Sequence, residues 1–235
     1  MKNDATRLEY AVAAICPEIE ERAKRSQSPL DERSLWWELS CCLLSSQVPY
    51  GLAVATADAL DKRQLLLNTS APQAELAVEI FTVLRQPVLI NGSLRNYRFP
   101  RSKSIQLASA RASVSQESGD LCSLVHAFGN AASARAWLVS NVSGIGPKQA
   151  SMFLRNSGIS YDLAVLDRHV LNYMSVIGLY QGAERAISKL SQYHTQEDKL
   201  ISYANRLGFA VGLLDWAIWI VMRVAGSREA ERALA

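Results

Sequence analysis

The chain has 235 residues, 49% of them hydrophobic and 20% charged, enough for one large domain or two closely packed lobes with a real core. Its apolar runs, such as AIWIVM near the C-terminus, are too short to span a bilayer. The formal net charge is only +3, yet nine Lys/Arg and two acids lie between Ile80 and Tyr161, and the rest of the chain is acidic. Such asymmetry fits either a face that meets a polyanion or a solvated basic surface.

In chain order, nearly every segment reads as helix. The opening MKNDATRLEY is polar and carries acids, unlike a signal peptide. DERSLWWELSCCLLSS combines an acidic start, suited to a helix N-terminus, with apolar positions at helical spacing. YGLAVATADALDKR, QAELAVEIFTVLR and RSKSIQLASARASV repeat that pattern, followed by AASARAWLVSN, PKQASMFLRNSG, DRHVLNYMSVIG and LLDWAIWIVMRV. Only QPVLING and YDLAVL read as strands, too little for a sheet of any size. The fold class is therefore all-α. NGSLRNYRFPRSK is the longest polar connection and marks a border between two helical lobes, and no repeat of 20–50 residues is present.

Cys16, Cys41, Cys42 and Cys122 form no C-x-x-C pair and no four-cysteine cluster spacing. That argues against zinc or an iron–sulfur cluster and fits reduced, buried thiols of a cytosolic protein. His126, His169 and His194 are too far apart for metal-ligand spacing.

The most informative stretch is VSGIGPKQASMFLRN. A helix ending near Asn141 meets two glycines, Gly144 and Gly146, which permit positive φ and close approach of another chain. Pro147 suits a first helical position. The result is a helix–hairpin–helix whose free N–H groups, at the positive end of a helix, point toward a guest such as a DNA phosphate. Lys148 falls in the first turn of the second helix. A cation is disfavoured there, so the position suits a nucleophile better than a surface charge. Nineteen residues later, DLAVLDRHVLNYM puts Asp167 where an N-cap belongs. Capping alone accounts for an acid at that place; its pairing with Lys148 asks for more.

GIGPK followed by LDRH resembles the helix–hairpin–helix/Gly-Pro-Asp superfamily of DNA glycosylases. KQASMFLRNSG and DLAVLDRHVL are most similar to the prokaryotic and archaeal 8-oxoguanine DNA glycosylase/lyases. Weaker echoes occur at ELSCCLLSSQ, RFPRSKSIQLASAR and DWAIW. The resemblance implies a single glycosylase unit over residues 1–235 with the active-site cleft between its lobes, one from residues 1–95 with 180–235 and the other from 96–179. It implies a bifunctional enzyme of base-excision repair. A damaged base is flipped out of the duplex, Lys148 attacks C1′ to form a Schiff base, and Asp167 assists deprotonation and stabilises charge on the sugar. β-Elimination then nicks the strand. Two alternatives stay open: a glycosylase for another modified base, and a non-catalytic helix–hairpin–helix DNA-binding protein.

By the same resemblance, Gln47, Asp215 and Trp219 contribute to the base pocket. Against this, Gln47 also reads as an ordinary helix end and Trp219 as core packing; Asp215, in so apolar a run, needs a partner or a purpose. Gly144, Gly146, Arg168 and His169 are expected near the DNA backbone. Arg98, Arg101 and Lys103 read either as phosphate contacts or as a solvated loop. Arg155 and Asn156 are expected to tie the helix end to its neighbours. The main-chain carbonyls of Ser140, Val142 and Ile145 are implied to hold a monovalent cation, Na+ or K+; no other cofactor and no iron–sulfur cluster is expected. The partner is double-stranded DNA containing a damaged base. The protein is expected to be a monomer, with no membrane association, cytoplasmic and associated with the nucleoid.

Overall fold

The computed structural model describes residues 2–25, 31–67, 70–182 and 186–234. As expected from the helical periodicities, the fold is all-α, with eleven helices and one two-stranded hairpin among the described residues. The helices are α1 (Lys2–Arg25), α2 (Glu32–Leu44), α3 (Tyr50–Asp61), α4 (Gln73–Leu84), α5 (Pro100–Ser118), α6 (Leu121–Ala127), α7 (Ala131–Asn141), α8 (Pro147–Asn156), α9 (Arg168–Val176), α10 (Leu190–Leu207) and α11 (Val211–Leu234). Three of them, α1, α6 and α10, lie outside the segments that sequence periodicity singles out. Among the described residues, no single helix is long and apolar enough to cross a membrane.

Local chemistry sets several helix starts. Asp31, Asp120 and Asn130 cap α2, α6 and α7, their side chains accepting from Ser34 N, Ser123 N and Ser133 N, which satisfies N–H groups that have no intrahelical partner. QPVLING contains β1 (Val88–Ile90), paired antiparallel with β2 (Ser93–Arg95) in the register Leu89↔Leu94. Asn91 and Gly92, at φ +47° and +76°, make the tight turn that such hairpins use. The other expected strand, YDLAVL, is not one. Residues 161–166 run without a sheet partner, because buried side chains rather than a neighbouring strand take up their backbone groups.

The chain forms two compact units, Met1–Ser28 with Gly158–Ala235, and Pro29–Ser157. These borders differ from the expected lobes, which break at 95/96 and 179/180. In the first unit, Val12, Cys16, Ile19 and Ala23 of α1 pack into one apolar cluster with Leu171, Met174, Leu200, Leu214 and Ala217. That packing makes the N-terminal helix part of this unit, in which α9 also lies against α11. In the second unit, α5 packs along α4, and α2 contacts α3, α6 and α8, so the polar connection at 91–103 is internal to a unit rather than a border. Cys41 and Cys42 are buried core residues of α2.

Candidate active site

The helix–hairpin–helix is built as its sequence implies. Val142 N donates to Leu138 O to close α7, and Ile145 N donates to Val142 O at 3.1 Å to form the turn. Gly144 adopts φ +84°, the left-handed region that favours glycine, and a Cβ there would lie 2.4 Å from the amide end of Gln106 on α5. Gly146 is the N-cap of α8 and has no side chain to bond the first turn; Pro147 follows at the start of the helix. The N–H groups of that turn thus lack a capping side chain, an arrangement suited to an anion. Lys148 stands half-buried in this turn.

The carbonyls named for a cation lie at the end of α7 and in the hairpin that follows it. Ser140 lies in the last turn of α7, where carbonyls have no intrahelical donor, and Val142 O takes one hydrogen bond from Ile145 N, leaving a second lone pair. Oxygen donors of this type fit a hard monovalent ion.

Asn156 ends α8 as expected of a structural tie: its Nδ2 donates to Glu38 Oε1 at 2.8 Å. Glu38, 7% exposed, also accepts from Cys42 Sγ. Burial pushes its carboxyl above the ordinary glutamate range, against the lowering effect of these hydrogen bonds and of Arg155. Tyr97 OH donates to Leu44 O at 2.7 Å and anchors the end of α2. Just beyond that end, exposed Gln47 adopts φ +60°. A left-handed glutamine is uncommon and costs backbone strain, and such residues concentrate at functional places.

In the other unit, Asp167 is the N-cap of α9. One oxygen, Oδ1, accepts from both His169 N (2.8 Å) and Val170 N (2.9 Å). Among the described residues Oδ2 accepts no hydrogen bond, so the cap engages half of a half-buried carboxylate. Arg168 Nε donates to His169 Nε2 at 3.4 Å. Burial, partly offset by Asp167 and reinforced by Arg168 and Arg223, holds the imidazole below the usual histidine range.

Asp215 is 1% exposed and its Oδ2 accepts from Val165 N at 2.6 Å. Trp219 is half-buried with the Arg223 guanidinium 4.5 Å above its ring, a cation–π contact that sequence reasoning missed. Arg98 is exposed with its guanidinium 5.0 Å from the Phe99 ring, and Arg101 is exposed. Lys103 differs from a solvated loop residue. It lies in α5 and is 6% exposed, and burial lowers the pKa of its ammonium.

The expected site residues thus fall into two groups. Lys148, Gly144, Gly146, Ser140, Val142, Ile145, Gln47, Arg98, Arg101 and Lys103 belong to the second unit, and Asp167, Arg168, His169, Asp215 and Trp219 to the first.

A family model described as 8-oxoguanine DNA glycosylase matches residues 18–209. Among curated proteins, an 8-oxoguanine DNA glycosylase/AP lyase of Sulfurisphaera tokodaii is 34% identical over 60% of this chain and 66% of its own length. One of Thermotoga maritima is 30% identical over 86% of each chain. Among solved structures, the 8-oxoguanine DNA glycosylase of Thermotoga maritima superposes with a TM-score of 0.69 at 29% identity, over 93% of this chain and 95% of that one. The Methanocaldococcus jannaschii 8-oxoguanine glycosylase/lyase, solved with a 15-mer DNA containing 8-oxoguanine, shares the fold with a TM-score of 0.67 at 23% identity, over 86% of this chain and 88% of that one.

Proposed function

Because the chain belongs to the 8-oxoguanine DNA glycosylase family, we propose that it excises 8-oxoguanine from duplex DNA and cleaves the strand at the resulting abasic site, with Lys148 as nucleophile. The observation that carries the reading is Lys148 in the first turn of a helix whose N-cap, Gly146, supplies no side-chain acceptor. A phosphate at those N–H groups and a flipped nucleotide before the amine are what the chemistry requires. The amine attacks C1′, the C1′–N9 bond breaks, and the base leaves with the bonding electrons. Asp167, with Oδ2 unengaged, accepts the amine proton and stabilises positive charge on the sugar. The resulting aminal opens to an imine as the C1′–O4′ bond breaks and O4′ takes a proton; loss of a C2′ proton then breaks the C3′–O bond and releases the 3′ phosphate by β-elimination. Arg98, Arg101, Arg168 and His169 contribute to backbone contact, and Trp219 offers a ring face to the flipped base. A monovalent cation on the carbonyls of Ser140, Val142 and Ile145 would add positive charge at the hairpin. We take the enzyme to act as a monomer in the cytoplasm, at the nucleoid.

The test is borohydride trapping on a duplex carrying 8-oxoguanine opposite cytosine, with wild type and Lys148→Gln. A covalent adduct that disappears in the variant supports the assignment of nucleophile and substrate. Duplex binding with no adduct redirects the search to other oxidised bases. A failure to trap an abasic site as well leaves a binding module and ends the enzymatic reading.

A further inference from the structure

The stretch before Asp167 has an unusual means of support. Residues 161–166 belong to neither helix nor strand and are buried from Leu163 to Leu166, and no strand lies beside them among the described residues. A buried segment outside helix and sheet leaves its N–H and C=O groups without secondary-structure partners, and each unmade bond is costly. Here side chains of α10 and α11 replace the missing strand. Ala164 N donates to Glu197 Oε1 at 2.8 Å, Val165 N to Asp215 Oδ2 at 2.6 Å and Leu166 N to Tyr193 OH at 2.8 Å. The Tyr193 hydroxyl in turn donates to Ala164 O at 2.8 Å. Gly212 N donates to Tyr161 O at 2.8 Å, and a Cβ on Gly212 would come within 3.0 Å of Tyr161 O and Leu163 O. Tyr193, Glu197 and Asp215 are 0%, 3% and 1% exposed. Three consecutive N–H groups are therefore held by three buried polar side chains, and the residue that follows is Asp167.

From this geometry we infer that Tyr193, Glu197 and Asp215 are positioning residues that fix the Asp167 carboxylate for catalysis, acting through the backbone of residues 164–166. The inference rests on the proposed role of Asp167. Burying two carboxylates and a phenol to hold a connection is costly where a short loop would join α8 to α9, and the return is a rigid approach to one residue. Asp167 N donates to Val165 O at 2.9 Å, and Oδ1 is tied to the first turn of α9. With the backbone held on one side and Oδ1 on the other, Oδ2 has little freedom. Asp215 Oδ2 is thereby engaged with the backbone of Val165. Displacement of a reacting group by about 1 Å lowers a rate about a hundredfold.

A double-mutant cycle tests this, using single-turnover excision at saturating enzyme on an 8-oxoguanine·cytosine duplex. Tyr193→Phe keeps the ring and removes the hydroxyl that serves Leu166 N and Ala164 O. It is expected to lower the saturating rate by about 10- to 100-fold, with the half-saturating concentration changed by less than about twofold. In an Asp167→Asn background the same change is expected to cost less than about twofold, since the residue being positioned no longer reacts. Equal losses in both backgrounds, or no loss in either, would overturn the positioning role while leaving Asp167 catalytic. Asp167→Asn with the wild-type rate would overturn the catalytic reading, and the positioning role with it. Should Tyr193→Phe fold poorly, Glu197→Gln, which keeps an acceptor for Ala164 N, is expected to retain the rate that Glu197→Ala loses. Equal rates for those two variants would again refute the role.

Discussion

Gly144→Ala is the substitution whose cost can be worked most directly from the hairpin. Two effects compete. At φ +84° an alanine is strained whatever space surrounds it, by about 1–3 kcal/mol. The new Cβ would also meet Gln106 at 2.4–2.7 Å. Those atoms are the amide end of a side chain with three rotatable bonds, so a rotamer change relieves the clash for about 1 kcal/mol. The backbone effect therefore dominates, and the variant should lose about 1–3 kcal/mol, or about 2–12 °C in Tm for a chain of this size. Urea unfolding followed by tryptophan fluorescence measures it, with duplex affinity as a second readout expected to weaken about tenfold as the turn deforms. Adding Gln106→Ala to Gly144→Ala should restore less than about 1 kcal/mol. A neutral Gly144→Ala, or complete restoration by the second change, would refute the backbone argument.

Glu38 and Lys103 give further tests. Burial raises the Glu38 carboxyl pKa, so the folded protein binds more protons than the unfolded chain between the ordinary glutamate value and the raised one. The stability contribution is present below the ordinary value and is lost as pH rises through the raised one. Urea midpoints between pH 4 and 8 should fall with pH in wild type and be flatter in Glu38→Gln; parallel profiles would contradict this. Lys103 has the opposite linkage. Burial lowers its ammonium pKa, so the unfolded chain binds more protons above the lowered value, and stability recovers as pH rises toward the ordinary lysine range. Lys103→Met should stabilise the protein at pH 7 by on the order of 1 kcal/mol and abolish that alkaline recovery, as thermal melts from pH 7 to 10 will show.

The helical class, the hairpin and the cap were legible in the sequence because each depends on residues within one or two turns. Gly144, Gly146 and Pro147 dictate the backbone of the turn, and Asp167 bonds N–H groups two and three residues away. Asn156 was recognised as a tie, although its partner, Glu38, lies 118 residues distant. What the sequence could not convey was decided by packing between distant elements. YDLAVL has a strand's apolar pattern, but whether it pairs depends on what lies beside it, and α10 and α11 bring three polar side chains instead of a strand. Tyr193 and Glu197 look like ordinary members of a polar helix until burial makes acceptors of them. Lys103 looks like a surface charge in a basic stretch until α5 turns it inward. The first helix joins the C-terminal unit because its apolar face matches a cluster nearly two hundred residues away. Local backbone chemistry can be read from neighbours in the chain; burial and long-range partners exist only once the chain has folded.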